Sequence, residues 1–73
     1  MQYRILLHKE QEGAYTATVP RLPGCITYGE SIDEAIEMAK EAIALYSEEL
    51  KSRGEIIPDD AETLEYNLTL EEV

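Results

Sequence analysis

The sequence predicts an α+β fold: one two-layer domain in the order β-β-β-α-β, its mainly antiparallel sheet covered on one face by a single long helix. Three observations carry this. Short runs alternate apolar and polar residues at period two, one long run is apolar at helical spacing behind an N-cap, and 73 residues suffice for one domain only.

Residues 2–10, QYRILLHKE, put Tyr3, Ile5 and Leu7 on one face and Arg4 and His8 on the other, with Leu6 the apolar exception on the outer face. Gln11-Glu12-Gly13 makes a short turn. Residues 14–19 alternate again, with Tyr15, Ala17 and Val19 inward and Thr16 and Thr18 outward. The two runs form an antiparallel hairpin. The two prolines of PRLPG (residues 20–24) remove ladder donors, so the chain turns there, and Cys25–Tyr28 starts a third short strand that Gly29 stops.

Ser31 and Glu34 form a capping box, and Asp33 and Glu34 suit the positive end of a helix dipole. Apolar positions follow at 32, 36, 39, 43, 46 and 50, widened by Ala35, Ala42 and Leu45. Lys51 and Arg53 occupy the last turn and Gly54 the C′ position, which predicts about six helical turns. Pro58 keeps residues 56–60 a connection. Residues 64–70, LEYNLTL, alternate without error and predict a last, half-buried strand with Leu64, Tyr66, Leu68 and Leu70 on one face.

A domain this small leans on a partner subunit, a metal or disulfides. One cysteine, Cys25, excludes an internal disulfide, and with His8 the single histidine there is no zinc set. Oligomerisation is the expected support. One helix leaves an outer sheet face and an open edge, and open edges invite pairing; the last strand, with Leu64, Tyr66 and Leu68, is the expected edge of a homodimer or higher oligomer. Glu62, Glu65, Glu71 and Glu72 are the features that would instead guard it.

Sixteen acidic against six basic side chains give a net charge of −10. Such a surface repels nucleic acid and anionic membranes and suits a basic protein partner, although acidity also serves simple solubility. No apolar run reaches membrane-spanning length and no leader pattern opens the chain, so a cytoplasmic location is expected. Asn67-Leu68-Thr69 matches a glycosylation sequon, read as chance without a secretion signal.

Chemistry-bearing residues are scattered. His8 has no companion, and Cys25 has no activating base in its sequence context. Glu34, Glu37, Glu41, Glu48 and Glu49 fall on or near the polar side of the helix. Asp59-Asp60-Ala61-Glu62 lacks calcium-loop spacing, and no glycine-rich phosphate loop exists. No catalytic residue, cofactor or metal ligand is expected.

Val19-Pro20-Arg21-Leu22-Pro23-Gly24-Cys25, then Thr27-Tyr28-Gly29-Glu30-Ser31, then Asp33-Glu34-Ala35 resemble the HicB-type antitoxin family. The likeness runs from residue 1 to about residue 58. It implies a truncated ribonuclease-H-like domain that serves as the antitoxin of a type II toxin–antitoxin pair. Its implied partner is a small basic mRNA-cleaving (HicA-type) toxin, whose active site the antitoxin covers. Many members also carry a C-terminal helix-turn-helix or ribbon-helix-helix domain; here a single stand-alone domain over residues 1–73 is expected, without direct nucleic-acid binding. The first strand carries no carboxylate until Glu10, so the ribonuclease-H kinship brings no nuclease. Exposure arguments, not the family, nominate Arg21, Leu22, Pro23, Tyr28 and Glu30 as partner contacts. Two other readings are an orphan oligomeric domain with a non-toxin protein partner and a metal-dependent hydrolase assembled across a dimer interface.

Overall fold

A computed structural model describes residues 1–72; Val73 lies outside the described residues. Three strands, β1 (Leu6–Lys9), β2 (Tyr15–Thr18) and β3 (Ile26–Gly29), precede one helix, α1 (Ile32–Ser52). The sheet is antiparallel in the order β1-β2-β3, with Leu7 opposite Ala17 and Ala17 opposite Thr27.

The hairpin turn closes with the Glu10 N–H donating to Ala14 O at 2.8 Å and the Gly13 N–H to Glu10 O at 3.0 Å; Gly13 takes a φ of 92°. The capping box forms as the residue pattern demands. Ser31 Oγ accepts from the Glu34 N–H at 3.1 Å, while the Glu34 carboxylate accepts from Glu30 N–H at 2.8 Å, one residue further back than the usual partner. At the other end the Gly54 N–H donates to Lys51 O and the Glu55 N–H to Leu50 O, a Schellman closure with Gly54 left-handed at φ 71°.

The helix lies very close to the sheet because the residues between them are small. Ala17, Ala35 and Ala39 are fully buried, and the largest fully buried side chains are Leu22 and Val19. Tyr3, Ile5, Tyr15, Ile43, Tyr46 and Ile57 pack around this centre, half-exposed. Gly29 makes the approach possible: a Cβ there would stand 2.3 Å from the Ala35 backbone nitrogen. The helix covers β3 and β2 rather than β1, so Leu7 remains 40% exposed although its side points toward the helix layer. Ile32 and Leu45, expected on the buried stripe, are exposed at its margins.

Two further expectations fail. The first strand begins at Leu6, not residue 2, because the register sets Pro20 opposite Arg4 and proline has no N–H to continue the ladder. The strand expected over residues 64–70 does not form: those residues lie outside the sheet and are exposed throughout. An alternating segment gains stability from the face it buries and the ladder it joins, and this chain offers residues 64–70 neither.

Substituting Gly29→Ala is expected to destabilise the domain by at least about 2 kcal/mol, since only backbone movement relieves the clash. Gly13→Ala, with open space around it, is expected to cost about 1 kcal/mol through its left-handed φ alone. Leu22→Ala is expected to cost about 3 kcal/mol. Urea denaturation of the three variants checks the order, and a Gly29→Ala variant as stable as Gly13→Ala would refute the close-approach argument.

Candidate partner-binding surface

The PRLPGC segment is a pair of linked turns that satisfies its own backbone. The Leu22 N–H donates to Val19 O, the Cys25 N–H to Leu22 O, and the Val19 N–H to Cys25 O, all at 2.9–3.0 Å. Gly24, at φ 82°, completes the reversal, and the Tyr46 hydroxyl donates to Pro23 O at 3.0 Å, pinning the loop to α1. Leu22 is 0% exposed. Its proposed role as a contact is therefore corrected: the side chain turns inward and anchors the loop from beneath. Pro23 and Arg21 stay exposed, and Arg21 lines a shallow groove with Asp59 and Glu62.

Tyr28 and Glu30 sit elsewhere. The cross-strand rows Leu6–Thr18–Ile26 and His8–Thr16–Tyr28 share the outer sheet face, away from α1. Tyr28 is 68% exposed, with Leu6 and Ile26 about half-exposed in the adjacent row. Glu30 is exposed just before the helix N-cap. The nominated residues thus do not converge: Arg21 and Pro23 lie at the loop end, Tyr28 on the outer face, and Glu30 at the far end of β3. Leu6 and Ile26 join Tyr28 in an apolar patch that the nomination missed. Leu6, the apolar residue on a polar face, was the signal for it.

At the loop end the C-terminal segment is clasped to the chain start. The Asp60 N–H donates to Gln2 O at 2.7 Å, the Arg4 N–H donates to Asp60 Oδ2 at 2.9 Å, and the Tyr3 hydroxyl donates to Pro58 O at 2.7 Å. Thr63 Oγ1 donates to Asp60 Oδ1 at 3.0 Å. These bonds take over the backbone groups that Pro20 leaves without a ladder. The Arg4 backbone N–H, chiefly, holds the Asp60 carboxyl below its ordinary value; the Thr63 hydroxyl and the charges of Arg4 and Arg21 act the same way, against an opposing cost of desolvation.

Cys25 and His8 stand apart. Cys25 is buried, and burial raises its thiol above the ordinary value, away from thiolate chemistry. His8 is exposed on the outer face, 3.9 Å from Glu10 Oε2. Among the described residues no group of three or more His, Cys, Asp or Glu side chains is placed to hold a metal ion, and no helix is long and apolar enough to cross a membrane.

The family model for the HicB-like antitoxin of bacterial toxin–antitoxin systems matches residues 3–72. The chain belongs to that family. It is similar to a UPF0150 protein of Thermoplasma acidophilum, 45% identical over 60 residues, covering 82% of this chain and 87% of that one. It is also similar to antitoxin HicB 1 of Photorhabdus laumondii, 34% identical over 58 residues, covering 80% of this chain but only 37% of that longer protein. The crystal structure of the N-terminal domain of Burkholderia pseudomallei antitoxin HicB superposes with a TM-score of 0.72 at 34% identity, over 96% of this chain and 74% of that one. The β-β-β-α core of this HicB-like domain therefore shares the fold of that HicB N-terminal domain, and an antitoxin family implies a toxin partner.

The Asp60 clasp carries a pH dependence. A carboxyl whose pKa is lowered on folding binds fewer protons folded than unfolded, so its contribution is complete above the ordinary carboxyl value of about 3.9 and is lost as pH falls through the folded value. Stability is expected to fall on acidification below about pH 4, less steeply in Asp60→Asn. Denaturation midpoints across that range check it, with parallel acid limbs in the two proteins as the contrary result.

Proposed function

We propose that this HicB-like domain neutralises a small basic RNA-cleaving toxin by covering its active site. The observation that carries this reading is a net charge of −10 on a member of an antitoxin family, with several of its few cations already held. Arg4 lies 3.6 Å from Glu65, Lys40 3.1 Å from Glu37, and Arg53 3.1 Å from Glu55. The field presented outward is therefore acidic, including Glu34, Glu41 and Glu48 spaced seven residues apart on α1. Such a field steers a basic partner toward encounter and repels RNA from the covered site.

Charge brings the partners together; apolar contact holds them. The outer-face patch of Leu6, Ile26 and Tyr28, flanked by Glu30, provides an aromatic anchor of the kind that dominates protein interfaces. Arg21 and Pro23 provide a second, rigid contact at the loop end. The domain acts as a cap and contributes no catalytic group of its own.

The test is co-purification with the product of a neighbouring short basic reading frame. A stable complex is expected at about 0.1 M salt, weakening toward about 1 M as screening shortens from roughly 10 Å to 3 Å. Tyr28→Ala is expected to weaken binding by about 30-fold. Two folded proteins that do not associate even at low salt would overturn the reading.

A further inference from the structure

The molecule contains a strand without a sheet and a sheet edge without a strand. Residues 64–70 keep a faultless alternation, yet Leu64, Tyr66, Leu68 and Leu70 are 68–95% exposed. The chain extends 50 Å along its long axis with a radius of gyration of 14.4 Å, against roughly 11 Å for a compact chain of this length. The start of β3 borders a mainly apolar groove of about 460 Å³ walled by Cys25, Ile26, Ala42, Leu45 and Tyr46, with Glu49 and Arg53 also in its lining. No residue of β2 lines this groove, so it lies on the side of β3 where the next strand of the sheet would lie.

The segment leaves its own domain beside the start of β1, where Pro20 has ended the ladder. Asp60 is bonded to Gln2 and Arg4, and Glu65 lies 3.6 Å from Arg4, all next to the start of β1. None of the residues that line the β3 groove belongs to this segment. The groove's complement is thus carried by the same chain but held elsewhere on it, an arrangement that a second copy resolves.

We propose that residues 64–70 of one copy add as a strand along the free edge of β3 in a second copy, with Tyr66 and Leu68 laid into the β3–α1 groove. The exchange is reciprocal and gives a two-fold dimer. Main-chain bonds to the β3 edge supply the pairing, and the alternation sets the register, because a slip by one residue would turn Glu65, Asn67 and Thr69 into the groove. Leu45 becomes intelligible on this arrangement: it is exposed on the helix at 61% because its partner belongs to another molecule. Ile26 borders both surfaces, whereas Leu6 and Tyr28 do not line the groove; the oligomer test below involves neither a toxin nor Tyr28, so its failure is distinguishable from failure of the proposed function.

The test is sedimentation equilibrium of the full chain and two variants that alter only exposed residues, L45R in the groove and Y66D/L68D in the tail, each checked for native circular dichroism. The wild-type chain is expected at twice the 8.3 kDa of one copy, and each variant is expected to dissociate at least about tenfold more readily. Mixing the two is expected to restore part of the dimer, since one variant retains a sound tail and the other a sound groove. A monomeric wild type, dimers that survive either variant, or a mixture that regains nothing would each overturn the proposal. So would protection of residues 64–70 from amide exchange in a monomer, which would assign the strand to its own β1 edge.

Discussion

Everything in this domain is arranged around the contact between Gly29 and Ala35. Where β3 ends and α1 begins, two backbones meet too closely for any side chain on residue 29, and that proximity fixes the height of the helix above the sheet. With so little room between the layers, alanines fill the centre, and larger groups are displaced to the rim, where Tyr3, Ile43 and Tyr46 are only half-covered. A core of small residues removes little apolar surface from water. The apolar side chains left outside follow from that thin core as directly as the close packing does.

A second constraint runs through Pro20. By ending the β1–β2 ladder opposite Arg4, it leaves the first residues of the chain with backbone groups to satisfy. Asp60 satisfies two of them, one through its amide and one through its carboxylate. The same proline belongs to the loop that Leu22 holds from within. One residue type at one position therefore shortens a strand, shapes a loop and makes room for a clasp from the far end of the chain.

Local features were legible in the residues: the hairpin, the capping box of Ser31 and Glu34, and the Gly54 closure all depend on neighbours a few positions apart. The misreadings arose where distant residues decide. That β1 starts at Leu6 depends on knowing that Pro20 lies opposite Arg4. LEYNLTL carries a strand pattern, but a pattern does not supply a neighbouring edge. Leu22 reads in sequence as an exposed contact because loops between prolines are commonly at the surface, whereas two linked turns point its side chain inward. Tyr28 was legible as an exposed aromatic; its association with Leu6 and Ile26 needed the cross-strand register.

The clasp has a consequence for the order in which the molecule assembles. Tyr3 bonds to Pro58 and Arg4 to Asp60 across 55 and 56 intervening steps of chain, whereas each strand pairs with its immediate successor and α1 packs on the strand just before it. Closing a long loop carries an entropic cost that short-range pairing avoids. The sheet and helix therefore have no need to wait for the C-terminal residues, and on a ribosome they can form before those residues emerge. As the contact that spans the longest stretch of chain, the clasp is expected to close last in folding and to open first.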